Sequence, residues 1–291
     1  MIPYYEEPGI QIFHGDCREI LPQLSRVDVV IADPPYGVTS LDWDSAVDGW
    51  AYLVDAPCLW CFGSMRFFLS QKFESWKYAQ EIIWEKHNGS IFHADRFRRV
   101  HEFAMQFYRG EWADLYKSPV YTMDATPRTV RRKQRPAHSG HIDGSSYQSE
   151  DGGPRLMRSV VYVPSCHGEA EHPTQKPVDI IKPLIEYSCP PDGVVLDPFM
   201  GSGTTLVAAQ NLGRNCIGIE IEERYCAIAV ERLRQRSMVF TDPLDGCKIA
   251  HTQEVLYAAR PGVEDEVKCS NERAETRPAF RRDQTKDIAS Q

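Results

Sequence analysis

The sequence predicts an α/β protein with a doubly wound, mainly parallel sheet. Three observations carry that expectation. Short apolar, β-branched runs recur along the chain, as in VDVVI (27–31), GVVLDPF (193–199) and NCIGIEI (215–221). Segments with apolar residues at helical spacing follow several of them. Two of the runs end on Asp-Pro turns, and strand ends that carry turn chemistry suit a sheet whose loops gather along one edge.

GIQIF (9–13) alternates weakly and reads as a short strand ending at His14-Gly15-Asp16. The run at 27–33 leads into Asp33-Pro34-Pro35-Tyr36-Gly37, and the polar segment 38–50 after it reads as a mobile loop. APCLWCFG (56–63) is a buried strand, and MRFFLSQKF (65–73) has helical spacing. YAQEIIWEK (78–86) and HEFAMQFYR (101–109) alternate as strands. Between 110 and 155 periodicity fades and Pro, Gly, Ser, Arg and Gln dominate, so a loop-rich insertion is expected. RSVVYVP (158–164) restores a strand. PVDIIKPLIEYSC (177–189) places Ile180, Ile181, Leu184, Ile185 and Ser188 on one helical face, with Pro183 expected to bend it. GSGTTLVAAQNLG (201–213) is a glycine turn opening a helix that Gly213 can close. EERYCAIAVERLRQR (222–236) has acids in its first turn and arginines in its last, matching a helix dipole. The tail, 237–291, lacks a sustained period and is expected to be largely disordered.

Bulk properties narrow the function. The 291 residues suffice for one large core. No run approaches the roughly 18 apolar residues of a membrane-spanning helix, so no membrane partner is expected. The N-terminus MIPYYEEPGI carries acids and no basic stretch, so no signal peptide is expected. Nine scattered cysteines fit free thiols in a reducing cytoplasm. The net charge of −8 argues against nucleic acid, yet residues 96–136 hold ten Lys/Arg against four Asp/Glu, a local +6.

LDPFMGSGTT (196–205) combines strand, turn and helix. Gly201 and Gly203 allow a ligand close to the main chain, and the helix N-terminus beyond them presents free N–H groups. Glu220 ends the next strand, 23 positions after Asp197. That layout suits a nucleoside cofactor lying over the strand ends, with an acid on its ribose. The turn lacks G-x-x-x-x-G-K-[ST], so a P-loop is not expected, and a full G-x-G-x-x-G is absent too. The Cys58-x-x-Cys61 pair is read as core cysteines, because positions i and i+3 of a strand point to opposite faces. Cys166, His167 and His172 lack zinc-ligand spacing, and no metal is expected.

Together, Asp33-Pro34-Pro35-Tyr36 and Phe199-Met200-Gly201-Ser202-Gly203 resemble the S-adenosylmethionine-dependent DNA amino-methyltransferases, which act on adenine N6 or cytosine N4. The order, with the acidic tetrapeptide first and the glycine turn last, resembles the permuted subgroup often called β. HPTQKP (172–177), His14-Gly15-Asp16-Cys17, Trp84-x-Lys86 and His101-Glu102 add to the resemblance, which spans about 9–110 and 158–236. It implies a circularly permuted Rossmann-like sheet. Residues 1–110 would be the catalytic half, 111–157 an inserted target-recognition region and 158–236 the cofactor half.

The resemblance also implies roles. Asp33 and the Pro34 carbonyl would accept hydrogen bonds from the target amine, Pro35 would stiffen the turn, and Tyr36 would stack on the base. Asp16, Thr174, Gln175, Lys176, Asp197, Phe199, Gly201, Gly203 and Glu220 would hold S-adenosylmethionine, with Glu220 on the ribose and Lys176 on the methionine carboxylate. The partner would be double-stranded DNA with its target base flipped out. Arg131, Arg132 and Lys133 are candidate DNA contacts in the aperiodic insert, and Trp43 is either a closing contact on the base or a hydrophobic anchor for its loop.

Adenine N6 is favoured because Asp opens the tetrapeptide, where Ser is more typical of cytosine N4. The rivals are cytosine N4, an inactive DNA-binding fold, and methylation of a protein glutamine amide, for which the tetrapeptide normally starts with Asn. A homodimer and a restriction endonuclease partner stay open.

Overall fold

The computed structural model describes residues 1–36, 47–71, 73–90, 95, 97–131, 146–166 and 175–239. The elements in chain order begin with β1 (Tyr5–Glu7), β2 (Ile10–His14), α1 (Cys17–Ile20), β3 (Val29–Ala32) and α2 (Trp50–Leu53). They continue with β4 (Cys58–Gly63), α3 (Met65–Ser70), β5 (Lys77–Ser90) and β6 (Arg99–Tyr108). The region after β6 holds β7 (Tyr121–Thr122), β8 (Arg128–Arg131), β9 (Ser146–Ser149) and β10 (Arg155–Leu156). Last come β11 (Val160–Tyr162), α4 (Val178–Ser188), β12 (Val194–Asp197), α5 (Thr204–Asn211), β13 (Asn215–Glu220) and α6 (Glu223–Val239).

Nine strands form one sheet in the order β1-β2-β13-β12-β3-β4-β6-β5-β11. From β2 to β4 every pairing is parallel, and β6 runs antiparallel to both β4 and β5. The central strands β3 and β4 are buried at every position, which is why they read as unbroken apolar runs. Their side chains alternate between two cores. Val29, Ile31, Trp60 and Phe62 face the layer of α4, α5 and α6, while Val30, Ala32, Leu59 and Cys61 face α1, α2 and α3. Cys58 and Cys61 fall in opposite cores, so they form no pair.

The sheet carries a topological switch. From β12 the chain crosses through α5 to β13 on one side, and from β3 through α2 to β4 on the other, while β12 and β3 lie side by side. Two neighbouring parallel strands whose crossovers diverge leave a crevice at their carboxyl ends. The register sets Val195 against Val29 and Leu196 against Val30, so Asp33 leaves the sheet two residues beyond the level of Asp197, at the same edge.

The region read as aperiodic contains two short antiparallel ladders, β7 with β10 and β8 with β9. Strands of two to four residues carry too little alternation to be legible. Pro183 sits buried inside α4. Among the described residues no helix is long and apolar enough to cross a membrane. The tail from 240 onward lies outside the described residues.

Candidate active site

Immediately beyond β3 the chain turns through Asp33, Pro34, Pro35 and Tyr36. The two prolines hold their φ angles fixed and give up two backbone donors. Asp33 is held on both oxygens. The Tyr36 hydroxyl donates to Asp33 Oδ1 at 2.5 Å, and the Lys176 ammonium lies 2.5 Å from Oδ2. Both donors also meet Glu102 of β6: Tyr36 Oη is 3.0 Å and Lys176 Nζ 3.1 Å from its Oε1. Lys86 of β5 completes the group, 2.6 Å from Glu102 Oε2.

Burial alone would raise the Glu102 pKa, but the ammoniums of Lys176 and Lys86 outweigh it and hold the carboxyl below its ordinary range. Burial pushes the Tyr36 phenol well above its usual value, and the charges of Asp33 and Glu102 push it further, so it stays a neutral donor. Burial opposes the charge on Lys176, yet the two carboxylates beside it raise its pKa. The Tyr36 ring packs on Phe67 of α3 with centroids 5.0 Å apart.

The second corner follows β12. Gly203 caps α5 at φ +80°, and a Cβ built there would lie 2.8 Å from the Ala229 Cβ of α6. A non-glycine residue fits neither the backbone nor the space. Glu220, at the end of β13, fastens this turn from below: its Oε2 accepts from Gly201 N–H at 2.9 Å and its Oε1 from Glu222 N–H at 2.8 Å. Arg232 of α6 reaches the same turn, donating to the Ser202 carbonyl at 2.6 Å and lying 3.0 Å from its hydroxyl. Ser202 Oγ in turn donates to Gln175 Oε1 at 3.2 Å. Asp197 Oδ1 accepts from Phe199 N–H at 3.0 Å. The Phe199 ring meets Trp50 edge-on with centroids 5.1 Å apart. Asp16 caps α1 through Arg18 N–H and pairs with the Arg18 guanidinium at 2.5 Å, which lowers its pKa.

Both corners open into one cavity of about 570 Å³, a size usual for small-molecule and cofactor sites. Asp33 and Pro35 of the acidic corner line it, and so do Asp197, Phe199, Gly201 and Glu220 around the glycine turn. Its wall also holds Asp16, Gln175, Lys176 and Glu222. Five carboxylates therefore face two cations, Arg18 and Lys176. A ligand with positive charge and hydroxyl groups matches that donor set.

Asp197 is 4% exposed, and burial raises its carboxyl to about 7. The unfolded chain releases that proton near 3.8, so between those values the native state binds more protons and stability falls as pH rises. Above the upper value the cost is complete. Asp197→Asn keeps an acceptor for Phe199 N–H and removes the charge. It should therefore be more stable than the wild type at pH 8, by on the order of a few kcal/mol, with the gap closing toward pH 4. Thermal midpoints across that range check this, and equal midpoints at pH 8 would refute it.

Of the sequence-predicted residues, Asp33, Pro35, Asp16, Gln175, Lys176, Asp197, Phe199, Gly201 and Glu220 line this cavity, while Pro34, Tyr36 and Gly203 do not. Lys176, expected on a cofactor carboxylate, has its ammonium on Asp33 and Glu102. Trp43, Arg132, Lys133 and Thr174 lie outside the described residues, and Arg131 is the last residue of β8. Two members of the basic stretch act within the fold. Arg109 donates to the carbonyls of Val54 and Ala51 and stacks on Trp76, and Lys117 donates to the carbonyls of Trp112 and Leu115.

Sequence reasoning missed Glu102, Lys86 and Arg232 as site residues. Two signals were present for Glu102: His101-Glu102 is one of the motifs that carry the resemblance, and Glu102 shares a strand face with Ala104 and Gln106, both buried, where a charge needs partners.

An open α/β sheet whose switch-point crevice joins an acidic Pro-Pro-Tyr corner to a glycine turn defines a group-transfer enzyme of the Rossmann-like methyltransferase class. The profile of the N6/N4 DNA methylases matches residues 27–231, and the chain belongs to that family. It is 28% identical to the type II methyltransferase M.HinfI of Haemophilus influenzae, over 77% of this chain and 68% of that one. It is also 28% identical to the type II methyltransferase M.ScaI of Streptomyces caespitosus, over 79% and 83% respectively. The crystal structure of the M1.HpyAVI–SAM complex superposes with a TM-score of 0.52 and 28% identity, covering 77% of this chain and all of that one. The cytosine-N4-specific PvuII DNA methyltransferase shares the fold at 15% identity, with a TM-score of 0.52 over 79% of this chain and 88% of that one.

Proposed function

We propose that this protein methylates the N6 amine of an adenine flipped out of duplex DNA, at a specific site. One observation carries the proposal: the Asp33 carboxylate and the glycine turn line the same cavity. The methyl donor is S-adenosylmethionine, which supplies when bound an electrophilic methyl group on a sulfonium. The acid-rich wall of the cavity fits that cation and its hydroxyls. Asp16, Gln175, Asp197, Phe199, Gly201, Gly203 and Glu220, with Thr174, are the residues we assign to holding it.

The exocyclic amine of adenine is a weak nucleophile because its lone pair is delocalised into the ring. Asp33 and the Pro34 carbonyl are assigned as acceptors for its two hydrogens. Two acceptors on those hydrogens draw the nitrogen toward a tetrahedral shape and free its lone pair for in-line attack. Pro34 and Pro35 fix the acceptors before substrate arrives, so little reorganisation accompanies the reaction. Extruding the base costs roughly a few kcal/mol. Phosphate contacts from Arg131, Arg132 and Lys133 are assigned to offset part of that cost, and Trp43 to the extruded base. Lys176 is assigned to orienting Asp33, where its ammonium sits. A restriction endonuclease is the partner protein we propose for this enzyme. Cys17, Cys58, Cys61, Cys189, Cys216 and Cys226 are free thiols, in keeping with a cytoplasmic enzyme.

The test is direct. Duplex DNA is incubated with enzyme and S-adenosylmethionine, digested to nucleosides and analysed by mass. N6-methyladenine is the expected product. Finding only N4-methylcytosine would replace the adenine assignment. Binding of DNA and cofactor with no transfer to any duplex would favour a binding-only protein.

A further inference from the structure

The reading of the site as an amino-methyltransferase leaves one buried acid without a role. Glu102 is 4% exposed, lies across the ladder from Trp84, and touches neither the glycine turn nor the cavity. Its surroundings are polar in a specific way. The Tyr36 hydroxyl lies between two carboxylate oxygens, 2.5 Å from Asp33 Oδ1 and 3.0 Å from Glu102 Oε1. A phenol has one O–H and can donate to one acceptor at a time. The shorter contact is to Asp33 Oδ1, on the carboxylate that the target amine must also reach.

We propose that Glu102 is a positioning residue: its Oε1 receives the Tyr36 hydroxyl when Asp33 Oδ1 takes up the amine of the flipped base. The exchange requires only rotation of the O–H about the phenolic C–O bond, since both acceptors already lie within hydrogen-bond distance. Lys86 keeps the receiving acid ionised from its other oxygen at 2.6 Å. Lys176 bridges the same two acids at 2.5 and 3.1 Å, so Asp33 keeps one fixed partner while the other is exchanged. Asp33, Glu102, Lys86 and Lys176 sum to zero charge, and moving the hydroxyl's donation leaves that sum unchanged.

The proposal rests on the amino-methyltransferase reading, and the experiment separates the two. Glu102→Gln and Tyr36→Phe are made singly and together. For each, kcat and KM are measured on duplex DNA, S-adenosylmethionine binding is measured by calorimetry without DNA, and the thermal midpoint is recorded. Glu102→Gln should lower kcat by about 10- to 100-fold, the weight of one hydrogen bond to a charged group, with both KM values and the cofactor Kd near wild type. In the Tyr36→Phe background no hydroxyl competes for Asp33, so the same change should cost less than about threefold in kcat.

Equal losses in both backgrounds would overturn the proposal. So would an unchanged kcat, or a kcat loss accompanied by an equal loss of cofactor affinity. If Glu102→Gln does not fold, Glu102→Gln combined with Lys86→Met removes one orphaned cation and is read by the same criteria. A wild-type enzyme that methylates no DNA would overturn the function and this inference together. An active wild type with an indifferent Glu102→Gln would overturn the inference alone.

Discussion

In Asp33→Ala, methyl transfer to DNA falls by roughly a thousandfold or more, the loss expected when a preorganised group is removed from the reacting centre. Cofactor binding stays close to wild type. The separation follows from the contacts: Asp33 is held by Tyr36 and Lys176, while the glycine turn is held by Glu220 and Arg232. The variant should still fold. Lys176 loses its contact at 2.5 Å but keeps Glu102 at 3.1 Å, so no cation is left buried and unpaired. The pocket gains one unit of positive charge relative to the wild type, which weakens a cationic ligand slightly. Asp33→Asn should fall between the two, because it keeps one acceptor oxygen and loses the ion pair. Single-turnover transfer of labelled methyl groups, beside cofactor titration of the same preparations, makes the comparison. A variant that retains turnover would remove Asp33 from the chemistry.

The second large effect is at the other corner. Gly203→Ala meets two independent penalties. The backbone at φ +80° costs an L-residue about 1–2 kcal/mol. The new methyl would then lie 2.8 Å from the Ala229 Cβ, and neither carbon has a side-chain torsion that moves it away. Overpacking of that kind adds about 1–3 kcal/mol. Together these displace α6 from the turn and with it Arg232, whose guanidinium holds the Ser202 carbonyl. A loss of cofactor affinity together with a lowered thermal midpoint is expected. Gly218 gives the control. There an added Cβ meets the far ends of the Met200 and Leu206 side chains, which can rearrange, so Gly218→Ala should be milder. If calorimetry finds Gly203→Ala as stable as Gly218→Ala, and as tight for the cofactor, the glycine turn is less constrained than the structure makes it.

Several parts of this molecule were legible residue by residue. β3 and β12 are short, apolar and β-branched, and β4 is short and apolar, because both of their faces are covered. Gly203 marks a left-handed cap, Pro34 and Pro35 a rigid corner, and Asp197 and Glu220 the strand ends flanking a glycine turn. Backbone preference and burial periodicity act over a few residues, so they leave their mark locally. The short ladders β7–β10 and β8–β9 left no such mark, because two to four residues cannot display a period.

What the tertiary structure alone decided is who faces whom. Asp33 and Asp197 share a crevice because β3 and β12 pair across 166 positions of chain, and Lys176 finds Asp33 across 143. Glu102 and Lys86 enter the site only through the antiparallel register of β5 against β6. Arg109 turns inward onto Trp76 although it lies in the most basic stretch of the sequence. Partners of this kind are chosen by strand order and register, which are set by packing of the whole sheet. A residue's own neighbours in sequence carry little information about that choice, and so the motif His101-Glu102 did not say that this acid would meet Tyr36 and Lys176.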